Sequence, residues 1–225
     1  MRQGADIARG YKFVRYAPWS GPQYGKNPAL GMKVLIVGES HYDSGDNTVD
    51  DENFTRASCQ YWVDVKPPPF VEHVVAAVTG SPNPSDRECG EFWKTIAFYN
   101  YVRHLADRGK GASLKDLAEP EAVGAFREVL RELEPACVLM FSKGAGRDMP
   151  TSFDRDDAEA VRYIGYDEKY LGWFKTGDGP SELALTIALN HPSYWDRTGG
   201  SADQYHPFIQ KTLDYARQSR HRARA

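Results

Sequence analysis

At 225 residues the chain is long enough to bury one sizeable core, and a single domain is expected. Hydrophobic residues at 41% and charged residues at 26% exclude an intrinsically disordered chain. A formal net charge of −3 excludes a uniformly basic nucleic-acid coat, although a local basic groove remains compatible with it.

Residues 1–32 carry aromatics (Tyr11, Phe13, Tyr16, Trp19, Tyr24) among Pro and Gly without a clear period. They read as an irregular N-terminal segment packed on the domain. The run Val34-Leu35-Ile36-Val37 predicts a strand buried on both faces of a parallel sheet, with a buried helix segment as the alternative for so short a run. Gly38 ends it, and Glu39, Ser40, His41 and Tyr42 follow at once. Residues 43–60 are polar and acidic and predict a long loop.

After Pro67-Pro68-Pro69, helical spacing of Phe70, Val71, Val74, Val75 and Val78 predicts a helix that Gly80 ends. Residues 81–89 read as a loop. Gly90 to Asp107 reads as a helix with a thick apolar side that carries Asn100. Glu119 to Glu134 predicts a further helix, with Pro120 in its first turn and Pro135 stopping it. Ala136 to Phe141 is a second buried strand, followed by a turn at Ser142-Lys143-Gly144-Ala145-Gly146.

Residues 147–180 are mixed and polar, with a short strand expected at Val161–Ile164. Leu183 to Leu189 is a third buried strand and delivers Asn190-His191-Pro192-Ser193-Tyr194-Trp195. Asp203 to Arg217 suits a helix, and residues 218–225 form a basic tail. The expected architecture is a single three-layer α/β/α domain over residues 33–217, with a central, mainly parallel sheet.

Cys59, Cys89 and Cys137 are odd in number and widely spaced. They make neither a disulfide framework nor a C-x-x-C metal site. With no signal-peptide pattern and no bilayer-length apolar run, a cytoplasmic protein without a membrane partner is expected.

Ligands in open α/β sheets bind at the carboxyl ends of strands. If the strands are parallel, Glu39 and His191 reach one edge of the sheet. Asn100, an amide in an apolar setting, needs a partner or a ligand. Each residue also has a purely structural use. Gly38-Glu39-Ser40 suits a strand-to-loop turn, Asn100 a satisfied interior amide, and His191-Pro192 an extended step. His41 suits a surface imidazole, and Tyr194 and Trp195 suit a cap on the core.

The order Gly38-Glu39, Asn100, His191-Pro192-Ser193 resembles that of the uracil-DNA glycosylase superfamily. The resemblance spans Val34 to Trp195 and rests on short motifs. It implies a metal-independent, cofactor-free DNA glycosylase that hydrolyses the N-glycosidic bond of a flipped base. By that resemblance Glu39 faces the sugar and His191 the departing base, and Asn100 reads the base edge while Tyr42 or Phe54 stacks on it. Tyr194 and Trp195 are wedge candidates. Ser40, His41, Lys143, Ser193 and Arg197 are candidates for DNA contact.

Ser40 and His41 stand where the G-Q-D-P-Y-H families place Asp and Pro. The chain also lacks the four cysteines of the iron–sulfur G-E-A-P-G families. A damaged or modified base, such as a modified pyrimidine of phage DNA removed in antiviral defence, is therefore expected rather than plain uracil. Asp43 is a rival carboxylate to Glu39. A monomer is expected. Two other classes compete: a non-catalytic nucleic-acid-binding or nucleotide-sensing module of the same fold, and a hydrolase using Ser40 or Ser193 as nucleophile.

Overall fold

A computed structural model describes residues 11–42, 50–106, 113–117, 119–146, 154, 158–179, 182–198 and 200–222. Asp43, the first ten residues and the last three of the basic tail lie outside them. In chain order the strands are β1 (Trp19–Ser20), β2 (Val34–Gly38), β3 (His41–Tyr42), β4 (Ala97–Asn100), β5 (Leu105–Ala106), β6 (Cys137–Met140), β7 (Leu171–Lys175) and β8 (Leu183–Ala188). The helices are α1 (Phe54–Asp64), α2 (Pro69–Thr79), α3 (Asp86–Trp93), α4 (Leu114–Leu117), α5 (Pro120–Leu133), α6 (Lys143–Gly146), α7 (Ala158–Ile164), α8 (Trp195–Thr198) and α9 (Ala202–Arg222).

Six strands form the central sheet in the order β1-β4-β2-β6-β8-β7. β4, β2, β6 and β8 are mutually parallel, while β1 and β7 run antiparallel on the two edges. β3 and β5 make a separate two-residue parallel ribbon.

The pleat explains the layers. Successive side chains of a strand point to opposite faces. Val34 and Ile36 enter a core with Val71, Val74 and Val75 of α2 and Ile209 and Leu213 of α9. Leu35 and Val37 enter a second core with Phe126, Val129 and Leu130 of α5. All four β2 side chains are completely buried, as the unbroken apolar run requires. The chain is thus a three-layer α/β/α domain with a mainly parallel sheet.

Helix ends follow local chemistry. Pro69 opens α2, and Gly80 closes it at φ 77°, a left-handed conformation natural to glycine. Ser85 and Glu88 form a reciprocal capping box that starts α3 at Asp86. That cap corrects the loop expected over residues 81–89. The helix expected over 90–107 ends at Trp93, and Ala97–Asn100 becomes strand β4 instead. Phe98 then fills the α2 core and Tyr99 the α5 core, a period-two division that a helix would not produce.

Three further corrections concern polar segments. The loop expected over 43–60 gives way at Phe54 to α1, which buries Thr55 and Cys59 four residues apart. Val161–Ile164 belongs to helix α7, where Ala160 and Ile164, also four apart, are the buried pair. β7 emerges from a stretch read as mixed and polar because Leu171, Trp173 and Phe174 are covered on pairing with β8. The Ser142–Gly146 turn closes into the single helical turn α6.

The N-terminal segment is irregular apart from β1, and it is docked. Glu128 of α5 accepts the backbone amides of Lys12, Phe13 and Val14 at 3.1, 3.0 and 3.2 Å. At the other end, α9 continues through Arg222, past the boundary expected at Arg217. Arg217 donates to the Leu30 carbonyl at 3.2 Å, just before β2 begins. The basic end of α9 therefore lies at the amino ends of the strands. Among the described residues no helix is long and apolar enough to cross a membrane.

Phe126 is 1% exposed and meets Phe174 edge-on at 5.3 Å between α5 and the sheet. Phe126→Ala is expected to cost about 3–5 kcal/mol in urea-unfolding free energy. A loss below about 1 kcal/mol would show that the α5 layer carries little of the fold's stability.

Candidate functional site

From β2 the chain passes β3 and α1–α3 to reach β4 on one side of β2, and from β4 it crosses back through β5, α4 and α5 to β6 on the other side. Taken in chain order the four parallel strands stand 2-1-3-4 across the sheet, so the connections diverge between β2 and β6. Outside the carboxyl ends of those strands lies the crevice where open α/β sheets bind ligands. Glu39, Asn100, Ser142 and His191 all occupy that edge, because each ends or closely follows one of the four parallel strands.

The backbone there is zipped beyond the formal strands. The amides of Tyr101 and Val102 donate to the carbonyls of Gly38 and Glu39 at 3.1 and 2.9 Å, and Phe141 donates to Val37 at 2.7 Å. Glu39 is only 6% exposed, and a carboxylate so enclosed needs hydrogen-bond donors. Ser142, directly beyond the end of β6, supplies one: its hydroxyl donates to Glu39 Oε2 at 2.8 Å. The Ser142 oxygen in turn accepts the Ala145 amide at 3.1 Å.

Asn100 is the last residue of β4, paired in register with Gly38, and is not presented from a helix as expected. It is 6% exposed. A Cβ added at Gly38 would sit 2.2 Å from Asn100 Oδ1 and 3.1 Å from the Phe98 ring. The absence of a side chain at Gly38 leaves room for the Asn100 amide oxygen close to the β2 backbone, next to Glu39 in the chain.

His191 is held by its own turn. Its Nδ1 accepts the Ser193 backbone amide at 3.2 Å, and its ring stacks on Phe70 at 5.2 Å with the planes 21° apart. Burial lowers its pKa to about 4, so the ring is neutral at physiological pH. With Nδ1 accepting, the neutral ring carries its proton on Nε2 and is a donor there. Phe70 belongs to the first turn of α2, which packs this helix against the turn at Pro192–Tyr194.

Tyr42 and Tyr194 are 39% and 38% exposed. Burial raises the Tyr42 pKa; the Ser40 hydroxyl opposes that, while Glu39 and Tyr194 add to it. Glu39, on the same loop, and Tyr194, on the loop after β8, are thus within electrostatic reach of Tyr42. Ser40 is buried, and its hydroxyl has no regular hydrogen bond among the described residues. Ser193 and Arg197 are exposed. Lys143 lies over the rings of Tyr170 and Tyr166, at 4.7 and 5.3 Å, with its pKa lowered by burial.

Two expectations fail at this edge. His41 is not a surface imidazole available to DNA: it is 5% exposed, with Nε2 2.8 Å from Thr55 Oγ1. Phe54, partly buried, meets the His41 ring at 4.7 Å in a T-shaped pair, and Tyr16 meets His41 likewise at 5.5 Å. Trp195 is 5% exposed, packs on His73 and Tyr205, and donates to the Asn190 carbonyl at 2.9 Å. A side chain so enclosed is no wedge.

The nucleophilic-serine arrangement also lacks its geometry. His41 pairs with Thr55 rather than Ser40, and His191 Nδ1 is occupied by the Ser193 backbone amide. Among the described residues no group of three or more His, Cys, Asp or Glu side chains is placed to hold a metal ion.

Ser142 and Phe70 were missed in the sequence. The signal for Ser142 is a lone hydroxyl directly after a buried strand; for Phe70 it is an aromatic in the first turn of a helix, behind a proline run. No protein-family model matches the chain, and none of the curated proteins compared with it is similar to it.

Gly38→Ala is expected to lower the unfolding free energy by about 1–3 kcal/mol, because the added methyl displaces Asn100 or the strand. An unchanged urea midpoint would mean that the amide is not confined. A second expectation concerns pH. Burial lowers the His41 pKa to about 3, against an ordinary value of 6.5 in the unfolded chain. Below pH 6.5 the unfolded chain gains a proton that the folded one refuses, so stability is full above that pH and falls as pH drops toward 3. His41 alone is expected to remove about 2 kcal/mol by pH 5. His41→Gln should remove that share of the slope and leave the share contributed by His191, and an equal slope in both proteins would show that His41 is not a group responsible.

Proposed function

We propose that the protein is a DNA glycosylase acting on a flipped, damaged or modified base, with a modified pyrimidine of phage DNA as the favoured substrate class. The observation that carries this reading is the shared sheet edge. It sets a buried, serine-held carboxylate beside a strand-end amide, and brings a neutral imidazole to the same edge two strands away.

The chemistry suits these groups. Hydrolysis of an N-glycosidic bond builds positive charge on the sugar and negative charge on the leaving base. Glu39 stabilises the sugar cation and orients water, while His191 Nε2–H donates to the oxygen of the departing base. A neutral donor suits that task, since it stabilises the anion without having to give up its proton. Preorganised groups of this kind contribute several kcal/mol each.

β6 lies between β2 and β8, which places those two strands about 10 Å apart. A nucleoside bridges such a span with its sugar toward Glu39 and its base toward His191. Asn100 then reads the base edge, and Tyr42 stacks on it. Tyr194, half-exposed on the facing loop, takes the wedge role without Trp195. Ser193, Arg197 and Lys143 meet phosphates. Ser40, in place of a carboxylate, favours a substrate other than plain uracil. The enzyme is proposed to work as a cytoplasmic monomer, in antiviral defence or base-excision repair.

Single substitutions Glu39→Gln, His191→Ala and Asn100→Ala test the reading by abasic-site formation on duplexes carrying a panel of modified bases. Losses of about 100-fold or more are expected for Glu39 and His191 and about tenfold for Asn100. Full activity in all three variants would sink the mechanism. Salt-dependent DNA binding by the wild-type protein with no abasic product would instead identify a non-catalytic binding module.

A further inference from the structure

We infer that Ser142 is a positioning residue for Glu39, fixing the carboxylate across the crevice between β2 and β6. The inference rests on the reading of Glu39 as the anionic group that faces the sugar. Ser142 is 1% exposed, and its hydroxyl donates to Glu39 Oε2 at 2.8 Å. A hydroxyl has one proton to give and two lone pairs. One lone pair is engaged by the Ala145 amide at 3.1 Å, which orients the hydroxyl from the backbone of α6. Its single proton is committed to Glu39.

The two residues follow neighbouring parallel strands whose register runs through Val37 and Met140. The bond therefore ties the two sides of the topological switch at their carboxyl ends. It engages Oε2 alone among the described residues, so Oε1 is available for the sugar or for water. Ser142 acts only through Glu39. Without the hydroxyl, a carboxylate 6% exposed keeps its burial and loses the donor that sets its rotamer. Gly144 belongs to the same arrangement: a Cβ there would meet Leu117 at 2.7 Å and approach Glu39 Oε2 at 3.9 Å.

Two otherwise identical DNA duplexes serve as probes, one with a neutral tetrahydrofuran abasic site and one with a cationic pyrrolidine ring in its place. The wild-type protein is expected to bind the cationic duplex about tenfold more tightly, and Glu39→Gln to erase that preference. Ser142→Ala is expected to forfeit at least about fivefold of the preference while its affinity for the neutral duplex stays within about twofold. Ser142→Thr, which keeps the hydroxyl, is expected to retain it.

A full preference in Ser142→Ala overturns the positioning role and leaves the glycosylase reading standing. An equal loss in Ser142→Thr and Ser142→Ala assigns the effect to packing and overturns the role as well. A wild-type protein that does not distinguish the two duplexes overturns the reading of Glu39, and the Ser142 role with it. If thermal melting shows that the alanine variant does not fold, Ser142→Cys replaces it. It is close in volume but a far weaker donor, and the same loss is expected.

Discussion

Parallel pairing of β2 with β4 on one side and β6 on the other is the constraint on which the rest of the molecule depends. It requires β2 to be covered on both faces, which Val34 and Ile36 satisfy toward α2 and α9, and Leu35 and Val37 toward α5. It also requires the chain to go out from β2 to β4 on one side and then cross back to β6 on the other. A crevice at the carboxyl ends is the geometric result. Everything polar in the candidate site hangs from that edge.

The site's polar groups are tied down close to the backbone: Glu39 is held by the short side chain of Ser142, which is itself fixed by a backbone amide. Ser142 answers to the Ala145 amide and His191 to the Ser193 amide, while the Asn100 amide oxygen occupies the space that a side chain at position 38 would fill. Such ties limit rotamer freedom before any ligand arrives, and preorganisation is what electrostatic stabilisation of a developing charge demands. The same logic explains the interior His41. Its imidazole, lodged between Tyr16 and Phe54 and bonded to Thr55, anchors the segment that carries Glu39 and Tyr42.

Charge placement separates two ends of the molecule. The carboxyl edge of the sheet holds Glu39, Asn100 and His191. The basic end of α9 reaches back to Leu30 at the amino edge. DNA engaged at the carboxyl edge would therefore draw its cationic contacts from Lys143 and Arg197 rather than from the C-terminal end. Lys143 already rests on Tyr166 and Tyr170, so its ammonium starts from a partly desolvated position.

By itself the sequence determined the elements whose signal is local and strong. The unbroken apolar runs of β2, β6 and β8 can only be buried strands or buried helix segments, and proline and glycine bounded α2 and α5. From these followed the layered class and the placement of Glu39 and His191 after strands. Tertiary structure alone decided that Ala97–Asn100 is a strand, because its aromatics suit a helix equally well until β1 and β2 offer a slot between them. It alone turned His41 and Trp195 inward, since an imidazole or indole in a polar run carries no mark of which way it faces. And it alone joined Ser142 to Glu39, 103 positions apart, because a hydrogen bond across a parallel pair depends on register, which no single strand contains.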